Sequence, residues 1–223
     1  MAIEESLSAF RRDTDLVCRT LGCILGVRER ASAENAVLDK LQKNGSFWTD
    51  YEHLALTTVI IGLGRIFDSQ KNAHCVQRLQ DEIKSDLKHF GKSALTARKR
   101  ALTSNADDWL SKYIEGVHEF DANDLKAVSN EIGRAEALWK KCKPMRDRVF
   151  AHDQAQTRDA RTKIFTAITY DDIIAVSQVL TNLANALFEA EQNGRQPQFG
   201  HDIEMAAMHH GRDVANTLID QLG

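Results

Sequence analysis

Ile3, Leu7, Phe10, Thr14, Val17, Leu21 and Ile24 step by four and three residues in turn, the spacing that puts side chains on one face of an α-helix. The pattern predicts a long amphipathic first helix whose seam has one polar member, Thr14. A short segment around Val37–Leu41 follows and stops at Asn44–Gly45. Thr49 and Glu52 then have the spacing of a capping box, in which the threonine hydroxyl accepts an amide and the glutamate reaches back to the cap. Beyond them "LALTTVIIGLGRIFDS", residues 54–69, is apolar nearly all round. Such a helix belongs at the centre of a fold, with Phe47 and Trp48 packed over its start.

Val76, Leu79, Ile83, Leu87 and Phe90 predict a fourth helix that stops at Gly91. Residues 92–107 are basic and polar and read as a lid or irregular connection, and Trp109, Tyr113, Ile114 and Val117 form a short stripe. "FDAND" at 120–124 is a turn and N-cap that launches Leu125, Val128, Ile132, Ala135, Leu138 and Trp139. A polar linker is expected at 153–163. Thr169 with Asp172 caps the stripe Ile173, Ile174, Val176, Val179, Leu180, Leu183 and Leu187. Residues 192–200 break the chain, and Ile203, Ala207, Val214 and Leu218 mark a last helix.

No stretch alternates apolar and polar residues as a strand does, and proline occurs only at 144 and 197. The expected fold is therefore all-α: one irregular helical bundle over residues 1–223, with 196–223 as a C-terminal helical extension. That extension packs on the bundle or on a second subunit.

The net charge of −3 changes the picture of partners. A protein that coats nucleic acid broadly is basic, so contact with RNA has to be local here. Cys18, Cys23, Cys75 and Cys142 form no C-x-x-C pair and read as reduced core residues of a cytoplasmic protein. The acidic, amphipathic start is not a signal peptide. The longest apolar run, 54–64, is too short to span a bilayer.

Within 140–148, "KKCKPMRDR", five residues are basic and one is acidic. Such a run at a helix C-terminus is ordinarily a solvated end favoured by the macrodipole. Pro144 alters this: either the helix kinks there, or a new helix begins. A new helix would leave Arg146 and Asp147 near free amides that attract an anion. Arg146 and His152 are about a third of a turn out of alignment and about 9 Å apart along a helix axis, whereas Arg148 and His152 would share a face. Two copies of the segment about a twofold axis would relax that limit.

The run Arg146-Asp147-Arg148-Val149-Phe150-Ala151-His152 resembles the HEPN superfamily motif: an arginine, a polar residue, a short spacer and a histidine. "FW" at 47–48, "GLGRIFDS" at 62–69, "RDRVFAHD" at 146–153 and "ITYDDI" at 168–173 stand in the order of its abortive-infection U-type branch, AbiU2-like, over roughly residues 1–190. The resemblance implies a helical homodimer that brings two motifs into one cleft and acts as a metal-independent endoribonuclease, in phage defence or as a toxin. His152 would serve as general acid/base, Arg146 would stabilise charge on the phosphorane, and Asp147 would orient one of them. Arg148, Lys143 and Lys141 are the candidates for RNA contact. Arg65 and Asp68, three residues apart on the central helix, read first as a surface or interface ion pair, with a supporting role beside the cleft, shared with Asp153, as the alternative. Arg148 competes with Arg146 for the role of functional arginine.

No cofactor or metal is expected. His209–His210 with His201 and Glu204 lack the i, i+4 pairing of a helical metal site. RNA, a second copy of the chain, and an antitoxin or nucleotidyltransferase are the expected partners, with no membrane. The alternative is a non-catalytic HEPN module that binds RNA, a nucleotide or a partner.

Overall fold

The computed structural model describes residues 2–68, 74–151, 157–199 and 205–221. Among the described residues there is no strand. The helices are α1 (Ala2–Ala33), α2 (Asn35–Lys43), α3 (Gly45–Ile66), α4 (Val76–Ser85), α5 (Lys92–Leu102) and α6 (Asp107–Glu115), followed by α7 (Ala122–Met145), α8 (Arg158–Ala167), α9 (Tyr170–Asn193) and α10 (Ala206–Asp220). A 3₁₀ turn spans Leu87–Phe90 and a π turn spans Arg146–Phe150.

The core lies among α1, α3, α7 and α9. Every member of the predicted α1 seam is buried, Thr14 included. The Thr14 hydroxyl finds no hydrogen-bond partner among the described residues. A buried unsatisfied hydroxyl costs about 1–3 kcal/mol, so Thr14→Val is expected to stabilise the protein by about 1 kcal/mol. Urea melts check this, and an unchanged or lower midpoint would contradict it.

Both downstream caps form as the sequence predicts. Asp121 and Asp124 close a capping box at the start of α7, and Thr169 and Asp172 close another at the start of α9. Gly194, at φ 60°, ends α9 in the left-handed conformation that glycine adopts without strain. By length and composition α9 could cross a membrane, and 61% of its most apolar stretch is buried inside this fold. Cys18, Cys75 and Cys142 are free and buried, and burial pushes the Cys18 thiol up to about 11.

Five expectations need correction. First, Asn44 joins α2 to α3 with no loop, so Gly45 already starts α3. Thr49 lies inside the helix with its hydroxyl donating to the Gly45 carbonyl at 2.9 Å, and no Thr49–Glu52 box exists. Nor is α3 buried all round, since Leu54 is 65% exposed. Second, the stripe 76–90 breaks at Asp86 and finishes as the 3₁₀ turn.

Third, the basic stretch after Gly91 is helix α5, not a lid. Lysine, arginine, alanine and leucine are good helix formers. Leu95 is buried, and Arg98 donates to the carbonyls of His89 and Glu191 at 2.9 and 2.6 Å. Fourth, the supposed linker is helical from Arg158, where Thr157 caps α8 by accepting the Ala160 amide. Fifth, the stripe assigned to the last helix faces outward at Val214 and Leu218, while Ala207 packs against the core. Leu218 is 54% exposed, while Met208, Gly211, Ala215 and Ile219 are buried. Ile203 lies outside the described residues. Helix α10 packs on α1 of the same chain through glycines: Gly22 against Met208, and Gly211 against Arg19 and Cys23.

Candidate functional site

α7 does not stop at Pro144. It continues to Met145 and then widens into the π turn, closed by the Ala151 amide on the Arg146 carbonyl at 2.8 Å. Proline removes a hydrogen bond and crowds the preceding turn, and π turns fit an extra residue into a helix, frequently at functional sites. Arg146 and Asp147 therefore do not sit at a free helix N-terminus, and the expectation of an anion site on open amides fails.

Arg146 lies along α3, directly over Gly64. A β-carbon built on Gly64 would sit 2.8, 3.0 and 3.2 Å from Nε, Cδ and Cγ of Arg146. At its far end the guanidinium donates to Asp147 Oδ1 at 3.1 Å, and the side chain is 32% exposed. Asp147 thus orients Arg146, and the bare backbone at Gly64 gives the arginine its bed. The histidine of the motif, His152, and its neighbour Asp153 lie outside the described residues.

Arg148 and Lys141 line a groove of about 280 Å³ between α7 and α8, joined by Lys163 and floored by Ile164 and Ile168. Lys141 also pairs with Asp172 at 3.1 Å. The Thr169 amide, then Lys141 and the Thr169 hydroxyl, hold the Asp172 carboxyl below the usual range. Lys143 is exposed on α7. Arg65 follows Gly64 but reaches Asp13 on α1 at 3.3 Å, clamping α3 to α1. Asp68 closes α3, its amide on the Arg65 carbonyl at 3.2 Å.

Sequence reasoning missed a second cavity beside this segment. It measures about 340 Å³, and its lining includes Met145, the residue before Arg146. Three side chains from α1, α3 and α9 close on one another there. Arg28 Nε and the Tyr170 hydroxyl both donate to Glu52 Oε1 at 2.7 Å, and the Arg28 guanidinium lies 4.7 Å over the Tyr170 ring. Burial, then the bond to Glu52, pushes the Tyr170 hydroxyl well above the usual tyrosine range. At the rim His53, Phe150 and Phe165 form a row, with ring centroids 5.5 and 6.2 Å apart.

A further cluster joins His89 Nε2 to Glu191 Oε1 at 2.8 Å, with a Glu4 carboxylate oxygen within 4.8 Å. Burial raises the Glu191 carboxyl, but hydrogen bonds from His89 and Gln192 and the charges of His89 and Arg98 outweigh it, so the net shift is downward. Arg98, bonded to the carbonyls of both residues, already supplies the cluster with a fixed positive charge.

A family model described as AbiU2, of the HEPN group, matches residues 2–215. No curated protein and no solved structure shows a match. Each landmark placed above falls inside the matched span: the aromatic pair of α3, Gly64 under Arg146, the π turn and the cap of α9. A match from α1 into α10 joins these features in one lineage, and the chain belongs to the HEPN AbiU2 family.

Proposed function

We propose that this protein is a metal-independent endoribonuclease, acting in phage defence or as a toxin at a cleft shared by two subunits. The observation that carries the reading is Arg146, laid over Gly64, tied to Asp147 and still partly open to solvent. A guanidinium held by one carboxylate keeps further N–H donors for a phosphate.

In the proposed reaction a base takes the proton of a ribose 2′-hydroxyl, whose oxygen attacks the adjacent phosphorus. The bond from phosphorus to the 5′-oxygen breaks, and that oxygen receives a proton. A 2′,3′-cyclic phosphate results, which water opens to a 3′-phosphate. His152 moves these protons, since histidine titrates near neutrality. Arg146 balances the charge that builds on the phosphorane. Lys141, Arg148 and Lys163 offer a short basic track for the strand, in keeping with local rather than broad contact. A cytoplasmic setting and an antitoxin or nucleotidyltransferase partner belong to the same proposal.

Incubating the purified protein with RNA in EDTA is the test. Wild type is expected to cut, and His152→Ala and Arg146→Ala to cut about 100-fold less or worse. Intact RNA with wild type, or equal cleavage by His152→Ala, overturns the reading. Arg148→Ala alongside Arg146→Ala identifies the functional arginine. The Arg146–Asp147 pair also suits a module that binds without cutting, which would retain RNA in a salt-dependent way and leave it whole.

A further inference from the structure

We propose that the cavity closed by Arg28, Glu52 and Tyr170 is a nucleobase pocket that selects guanine. It deepens the ribonuclease reading by naming the base that the RNA presents beside the cleavage motif. The cavity was not legible as a site in the sequence, and its parts come from α1, α3, α7, α8 and α9.

Its chemistry is directional. Glu52 Oε1 is occupied twice, by Arg28 Nε and the Tyr170 hydroxyl. Among the described residues Glu52 Oε2 and the two terminal nitrogens of Arg28 make no hydrogen bond. The triad therefore holds a fixed acceptor next to fixed donors. Guanine is the base whose pairing edge matches that order: N1–H and N2–H₂ donate to the carboxylate while O6 accepts from the guanidinium. Held in the same orientation, adenine and cytosine turn an amine toward Arg28 and a lone pair toward Glu52, so both contacts are like against like. Uracil offers one N–H to the carboxylate but sets a carbonyl beside it.

The rest of the cavity suits a flat ring. Leu56, Met145 and Ile173 give apolar walls, and Phe165 and His53 stand at the mouth. Aromatic faces stack on bases irrespective of sequence, so the walls supply affinity and the triad supplies choice. A chain with net charge −3 cannot rely on wide phosphate contact, and a few directed contacts suit it better. The pocket is also in reach of the motif. Leu56 and Gly64 share α3, about 12 Å apart along its axis, a distance that a few unstacked nucleotides cross.

Calorimetric titration of the full chain with 5′-GMP, UMP, AMP and CMP tests the proposal. GMP is expected to bind about tenfold or more tightly than AMP or CMP, with UMP between. Glu52→Gln is expected to bring GMP down to the level of AMP. Should that change unsettle the contact among α1, α3 and α9, Phe165→Ala at the exposed mouth provides the second arm. It should weaken all four nucleotides about fivefold or more without altering their order. Equal affinity of wild type for the four, binding of none, or a preference that survives Glu52→Gln overturns the pocket. The titration reads no cleavage, so the two proposals fail separately. Selective GMP binding with RNA left intact removes the ribonuclease and keeps the pocket. Cleavage without selective GMP binding does the reverse.

Discussion

Gly64→Ala is expected to lower RNA cleavage about 100-fold while leaving the protein as stable as before or more so. Gly64 is helical and its backbone is unstrained. Alanine at such a position ordinarily gains about 0.5–1 kcal/mol over glycine. The new methyl would meet Arg146 along its length, from Nε at 2.8 Å to Cγ at 3.2 Å. The collision falls on the middle of the side chain rather than its tip, so the whole guanidinium has to move and its bond to Asp147 goes with it. A shift of about 1 Å in a positioned group is enough for a hundredfold loss. Paired thermal melts and cleavage assays check the prediction. Unchanged cleavage would show that the bed at Gly64 does not set the arginine, and parallel loss of stability and cleavage would assign the defect to folding.

The largest effect on stability is expected at the crossing of α1 and α10. A β-carbon on Gly211 would fall on the Arg19 carbonyl, 3.0 Å from its carbon and 2.9 Å from the Cys23 nitrogen. One on Gly22 would sit 2.8 Å from the Met208 carbonyl carbon. These are backbone atoms of packed helices, so no rotamer change relieves the contact. Gly211→Ala is expected to cost about 3 kcal/mol, the upper end for overpacking, against the small helix-propensity gain. Gly133 is the control, because nothing lies within 4 Å of its β-position and alanine there should be neutral or stabilising. Urea midpoints of the two variants decide it, and a Gly211→Ala protein as stable as wild type would mean that α10 does not need this close approach.

What the sequence disclosed and what it hid divide along the range of the interactions. The α1 seam and the Asp121 and Thr169 caps depend on neighbours three or four residues away, so spacing alone reveals them. The Arg146–Asp147 pair is likewise local. Glu52 misled because its partners come from 24 and 118 residues away. Threonine three positions earlier offered a local explanation that the fold does not use. Helix α10 misled because the middle of its buried face is small. Gly211 and Ala215 carry little hydrophobic weight, so Val214 and Leu218 suggested the wrong side. Helix α5 was hidden by charge, since one buried leucine and one anchored arginine suffice to dock it. The bed of Arg146 is invisible for the same reason of range: the glycine lies in a different helix.

The π turn at Arg146–Phe150 closes over five residues where a regular helix closes over four. The turn holds one residue more than ordinary winding, so removing one there would close the bulge and draw the segment back into a regular helix. Substitutions swap one chemical group for another and keep the others aimed as they were. A one-codon deletion would instead keep nearly every group and re-aim those that the π turn carries.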